Sequence, residues 1–211
     1  MNSLPVIVLG AGGHARVLID ALLLNSVKLL GMTDVNHQSQ SLLGVSYLGG
    51  DDVIEKYPPS EINLVNGIGS VSQPYLREKI FNRFKALGYG FIDVIHPSSI
   101  IAKDVKLGEG VQVMAGAIIH SGSQIGSNTI INTQASVDHD CRIGQHVHLA
   151  PGVVVCGNVC IEELGHVGAG AKILQSIRIG SRTLVSAGTL VKSDIEDSDQ
   201  GVLGRDQEKM A

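Results

Sequence analysis

The densest chemistry in the chain lies between Asn132 and Cys141, where Asp138-His139-Asp140 places an imidazole between two carboxylates. Imidazole titrates near neutral pH, so it suits a general base that takes a proton from an attacking amine or hydroxyl. A neighbouring carboxylate can fix its tautomer and raise its basicity. Both aspartates are adjacent to His139, and either can serve. Further histidines follow at His146, His148 and His166. Cys141, Cys156 and Cys160 form neither a metal-ligand spacing nor an even-numbered disulfide framework.

A repeat must position these residues. Stepping six residues from Ile101 reaches an aliphatic side chain at every one of 16 positions up to Val191, with no insertion. Two residues earlier stands mostly a small or β-branched side chain, such as Val105, Ala117, Ala135, Val153, Ala171 or Thr189. Neither the helical period nor a simple alternation produces this pattern. Gly108, Gly126, Gly144 and Gly180 follow the aliphatic residue at intervals of 18 or its multiple, and Glu162 takes the remaining slot. Three hexapeptides therefore make one triangular coil, with glycine expected to supply special backbone angles at one corner. Residues 18 apart should stack on adjacent coils about 4.8 Å apart.

That register makes a map. Gly157 falls one coil from His139, where it could leave room for a reacting carbonyl and offer its N–H to a developing oxyanion. His148 stacks on His166, which has no assigned role and is expected at the surface. Ala169 stacks on Ala187.

Before the repeats, 4–9 (LPVIVL) reads as a buried strand, followed by Gly10-Ala11-Gly12-Gly13-His14-Ala15 and an apolar helical stretch. A second strand ends at Asp34, and alternating strands and helices continue to FIDVI, giving a small α/β domain with a parallel sheet. Gly10, Gly12 and Ala15 followed by Asp34 loosely satisfy a dinucleotide fingerprint. A tight turn with no ligand is the other local reading. A single α/β unit is short for a complete NAD site.

The motifs IGSNTI, IGQHVH, VGAGAKI and VSAGTLV resemble those of the hexapeptide-repeat acyltransferases over about residues 98–193. Together with GAGGHARVLID, the whole chain resembles the sugar acyltransferases of the sialic-acid O-acetyltransferase and UDP-4-amino-sugar (bacillosamine) N-acetyltransferase type. The resemblance implies a Rossmann-like α/β domain over 1–96 for a nucleotide sugar, and a catalytic left-handed parallel β-helix over 97–193. The tail, 194–211, lacks the family's Asn-Pro-Ala. The left hand is a known exception to right-handed crossovers.

It also implies a homotrimer with intersubunit sites and acetyl-CoA as co-substrate, with no metal. The acceptor is the 4-amino group of a nucleotide-linked amino-deoxy sugar, UDP-linked in the first instance. His139 is then the base and Asp140 its partner, with Asp138 as competitor. Gly12, Gly13, His14, Asp34, Val35 and Gly69 face the nucleotide sugar, and Asn132 lies near the acceptor. His148, Ala169 and Ala187 line the acetyl-CoA site. O-acetylation of sialic acid or another sugar is the alternative. A trimeric β-helix carbonic anhydrase, holding zinc with histidines from two subunits, is a more distant one.

Composition is compatible with these expectations. A formal charge of −4 gives no electrostatic footprint for nucleic acid. The 26 glycines, with four Tyr, three Phe and no Trp, suit tightly wound coils better than a helical bundle. No apolar run reaches membrane-spanning length, and the N-terminus lacks the basic and apolar regions of a leader. A soluble, cytoplasmic protein is the expectation.

Overall fold

The computed structural model describes residues 4–35, 41–70 and 75–197, and the backbone of 202–203. The N-terminal part begins with β1 (Val6–Leu9), α1 (Gly13–Leu24) and β2 (Leu29–Thr33). After these come β3 (Ser41–Leu42), β4 (Val45–Gly49) and a 3-10 turn at Asp51–Lys56. β5 (Asn63–Asn66), α2 (Tyr75–Ala86) and β6 (Gly90–Phe91) complete it. The strand order is β3-β4-β2-β1-β5-β6, parallel except for the β3–β4 pair.

Every residue of β1 is buried because helices cover both faces of the sheet. Val6 and Val8 pack with Ala15, Leu18, Ile19 and Leu22 of α1. Ile7 and Leu9 point the other way, towards Phe81 and Phe84 of α2. From β1 the chain runs outward through β2 to β4, then returns on the other side through β5 to β6. The strand order thus reverses at β1, which opens a crevice at the carboxyl ends of β1 and β5. The segments entering it are Gly10–Gly13 and Gly67–Ser70.

The second part is a left-handed parallel β-helix of two-residue strands in three sheets. One sheet contains 94–95, 112–113, 130–131, 148–149, 166–167, 184–185 and 202–203. The second runs from 100–101 to 190–191, and the third from 106–107 to 178–179, each step being 18 residues. The second residue of each strand points inward. Of the sixteen aliphatic positions in the repeat, only Ile101 and Leu107, in the first coil, are less than fully buried. The two parts are joined through packing, since Val94 and Met114 belong to the same core as α1. Asn25, at the end of α1, also donates to the carbonyl of Ile95 at 2.9 Å.

The corner glycines act differently from expectation. Gly108, Gly126, Gly144 and Gly180 have no left-handed backbone. They are needed because coils approach closely: a Cβ on Gly126 would lie 2.5 Å from the Gly144 carbonyl carbon. The left-handed φ occurs instead at every sixth residue from Gly110 to Gly188, including Asn128, Asp140, Leu164 and Arg182. For non-glycine residues this costs about 1 kcal/mol each. A hydrogen bond to the preceding coil offsets it, as where Asp140 N–H donates to Ser121 O at 3.0 Å. Among the described residues no helix is long and apolar enough to cross a membrane.

Candidate active site

His139 stands on the turn between strands 136–137 and 142–143, with Asp140 in the left-handed conformation. The two flanking carboxylates divide their work. Asp140 Oδ2 lies 2.8 Å from His139 Nδ1, whereas Asp138 Oδ1 accepts the His139 backbone N–H at 2.8 Å. A carboxylate at Nδ1 holds the proton there and leaves a lone pair on Nε2. The hydrogen bond to Asp140 is the main cause of a raised imidazole pKa, with the charges of Asp138 and Asp140 adding to it. The side chains are 55% and 66% exposed, so one chain alone leaves this base open to water.

Two glycines frame the pair. A Cβ on Gly157, one coil on, would meet His139 Nε2 at 2.6 Å, and one on Gly122, one coil back, would strike Asp140 Oδ1. The missing side chain at Gly157 therefore makes room for the His139 ring. The turn is tied down by Asn158 N–H to His139 O at 2.9 Å and Ser176 N–H to Gly157 O at 3.0 Å. The N–H of Gly157 has no partner among the described residues.

A second group of polar residues forms where the N-terminal part packs on the first sheet of the β-helix. Gly12 and Gly13 face open space at the start of α1, and Gly12 provides no side-chain cap. The free N–H groups of this helix N-terminus suit a phosphate. Asp34 Oδ2 accepts the Ala11 N–H at 2.8 Å, and Val35 is 80% exposed. Gly69 packs against His14, where a Cβ would come within 3.1 Å of the His14 Cβ. The crevice thus gathers Gly12, Gly13, His14 and Gly69, with Asp34 bound to its rim. The His14 ring itself bonds across to the β-helix through Gln112 Oε1 at 2.7 Å. Burial is the main cause that lowers its pKa to about 4, and Arg77 adds to it.

Asn132 Nδ2 lies 3.0 Å from His148 Nε2, and His148 Nδ1 lies 3.0 Å from the Ser70 carbonyl and 2.9 Å from its hydroxyl. The same hydroxyl is 3.1 Å from His166 Nδ1. The two rings meet edge to face at 4.9 Å. His166 is only 5% exposed, which overturns the expectation of a surface histidine. Burial first, and then neighbouring His166, His14 and Arg77, lower the pKa of His148 to about 3. Ala169 and Ala187 share a cleft of about 440 Å³ with His148, His166 and Ser70. No described contact joins this cleft to His139.

Three residues of this junction were not singled out by the repeat or the glycine motif: Ser70, Gln112 and Arg77. Arg77 is fully buried, with its pKa lowered to about 9 by burial. Its Nη1 donates to the carbonyls of Asn66 and Ile68, both at 2.8 Å, and its Nε to Asn128 O at 3.1 Å. Its Nη2 has no partner among the described groups. Only its spacing from Phe81 and Phe84, on one stripe of α2, signals it in sequence. Among the described residues no three His, Cys, Asp or Glu side chains could hold a metal. His148 and His166 are committed to Ser70 instead.

Known proteins share both parts. The family described as PglD N-terminal domain matches residues 5–84, and that described as bacterial transferase hexapeptide (six repeats) matches 122–157. The crystal structure of PerB from Caulobacter crescentus, in complex with CoA and GDP-perosamine, is 36% identical. The match covers 92% of this chain and 91% of that one, with a TM-score of 0.85. The acetyltransferase domain of PglB from Neisseria gonorrhoeae FA1090, in complex with acetyl coenzyme A, is 29% identical over 93% and 94%, with a TM-score of 0.87. An acyl-[acyl-carrier-protein]–UDP-N-acetylglucosamine O-acyltransferase from Sinorhizobium fredii is 28% identical over 46% of this chain, which spans only 36% of that protein. With an α/β crevice and a hexapeptide coil matched together along almost its whole length, the chain belongs to the hexapeptide-repeat sugar acyltransferases that carry a PglD-type N-terminal domain.

Proposed function

We propose that the chain transfers an acetyl group from acetyl-CoA to the amine of a nucleotide-linked amino-deoxy sugar. The observation that carries this reading is His139, held at Nδ1 by Asp140 while its Nε2 lies over Gly157, whose N–H is unengaged among the described residues. The relatives bound to CoA with GDP-perosamine, or to acetyl coenzyme A, support both substrate classes.

In this reading residues 1–96 bind the acceptor, 97–193 carry out the chemistry, and 194–211 form the tail. That tail lies mostly outside the described residues. The open N–H groups at Gly12 and Gly13 take a phosphate of the nucleotide. Asp34, Val35, Gly69 and His14 border the rest of the acceptor, with Asn132 near its amine. His148, Ala169 and Ala187 border the acyl donor. As the amine attacks the thioester carbon, His139 Nε2 takes its proton and the Gly157 N–H faces the developing oxyanion. Collapse of the tetrahedral adduct forms the amide and breaks the C–S bond. The imidazolium returns its proton to the departing thiolate, so the base is regenerated and no acyl-enzyme forms.

The site needs a second chain. His139 and the cleft lie on different corners, and the second sheet turns Ile100, Val154 and Leu190 outward, at 63%, 37% and 45% exposure. A homotrimer burying that face would bring the base of one chain to the cleft of its neighbour. We place the reaction in the cytoplasm. The test is CoA release from acetyl-CoA against a panel of UDP-, GDP- and dTDP-linked 4-amino-6-deoxy sugars and their 4-hydroxy counterparts. Turnover of an amino sugar by chelator-treated protein is expected. Turnover only of a hydroxyl acceptor, or of none, overturns the reading.

A further inference from the structure

We infer that Ser70 sets opposite tautomers on the stacked His148 and His166, and that His166 thereby presents a fixed Nε2–H donor to the acyl-donor cleft. The inference gives two residues new tasks. Ser70 is a positioning residue, and His166 is a ligand-binding residue for a carbonyl on the donor's amide-bearing arm. It rests on the proposed acetyl-CoA reading only for the identity of that ligand.

The argument starts from atoms that cannot change role. A peptide carbonyl only accepts, so His148 Nδ1, 3.0 Å from Ser70 O, must carry a proton. Its Nε2 is then an acceptor. Thr133 N–H donates to Asn132 Oδ1 at 2.8 Å, which fixes that amide and turns its Nδ2 to His148 Nε2 at 3.0 Å. Each link agrees with the next. Because the His148 Nδ1–H also reaches the Ser70 hydroxyl at 2.9 Å, the hydroxyl proton is free for His166 Nδ1 at 3.1 Å. His166 must then keep its own proton on Nε2. That nitrogen has no protein partner among the described residues, and His166 lines the cleft with Ala169 and Ala187. A neutral ring donor aimed into a partly apolar cleft suits an amide carbonyl, because no charge has to be desolvated.

The placing of Ser70 is itself built. Ile68 N–H bonds to Asn66 Oδ1 at 3.2 Å, and buried Arg77 grips the carbonyls of Asn66 and Ile68. The turn from the α/β part is therefore held where its hydroxyl bridges two coils of the β-helix. Burial lowers the pKa of both histidines, which keeps the rings neutral and makes tautomer, not charge, the property under control.

The test uses the full chain, with ¹⁵N-labelled histidine and long-range imidazole correlation spectra assigned by His148→Gln and His166→Gln. His148 is expected as the Nδ1–H form and His166 as the Nε2–H form. Ser70→Ala should leave His166 with a mixed pattern, and Ser70→Thr should restore it. A wild-type His166 in the Nδ1–H form, or already mixed, overturns the inference. In steady-state assays His166→Asn, which loses the Nε2 donor, should raise KM for acetyl-CoA about tenfold, the worth of one hydrogen bond. It should leave KM for the acceptor unchanged. His166→Gln, whose amide reaches the Nε2 position, should recover most of it. Equal KM values for the Asn variant and wild type would overturn the ligand role. Failure to turn over any acceptor would instead count against the proposed function, and the spectra would still decide the tautomers.

Discussion

The molecule keeps histidines in two opposite settings. At the outer corner His139 is half exposed and its pKa is raised by Asp140. At the junction His14, His146 and His148 are pushed down by burial, to about 4, about 4 and about 3. The same side chain is thus tuned to exchange protons in one place and to avoid doing so in the other. What separates them is a carboxylate. Asp140 bonds the first ring, whereas the junction supplies carbonyls, amides, a hydroxyl and the buried Arg77. Acid–base work is served by a pKa near the working pH with a counter-charge to support the cation, while binding geometry is served by a ring that stays neutral.

This contrast breaks most sharply at His139. Replacing it with Ala should reduce kcat by about 10²–10⁴-fold with the fold intact by circular dichroism. A loss below about tenfold would remove His139 from the role of base. Gly157→Ala should go the same way to a smaller extent, because its new methyl would occupy the space of the ring.

Asp140→Asn comes next. Without the carboxylate the His139 pKa falls towards its ordinary 6.5, so the acidic limb of the kcat/KM profile should move to lower pH while the plateau falls about tenfold. Asp138→Asn, which removes a bond to backbone, should move that limb less. Equal shifts would mean that the two carboxylates are not divided as described.

The remaining effect is on stability. The junction histidines have folded pKa values below the unfolded value of 6.5, so the unfolded chain binds more protons between the two. Their contribution is fully present above pH 6.5 and is lost as pH falls from there through about 4 to about 3. The melting temperature should therefore decline over that window, and His146→Gln should lessen the decline. A flat profile from pH 7 to 4 would contradict neutral burial.

Much of this was legible in the chain because the repeat is strict. Sixteen aliphatic residues at six-residue steps define the faces, and the 18-residue coil correctly sets Gly157 against His139. The split between Asp138 and Asp140 was not legible, since both neighbour the same ring. It depends on the left-handed backbone of Asp140, and that position also admits Leu164 and Arg182, which hide its preference for Gly and Asn. Ser70 and Arg77 were hidden for another reason. Their partners on the β-helix lie 51 to 96 residues away, across a packing of two parts that no local pattern encodes.

The Gly157–His139 contact has a consequence for how such a chain can change in length. In the repeat half, length comes in fixed quanta. Eighteen inserted residues add one coil and keep every face in place, six rotate all that follows onto the next face, and a single residue turns the aliphatic column outward. Between His139 and Gly157 not even a whole coil can be added without parting the ring from its glycine, and between His148 and His166 none without parting the two rings that share Ser70.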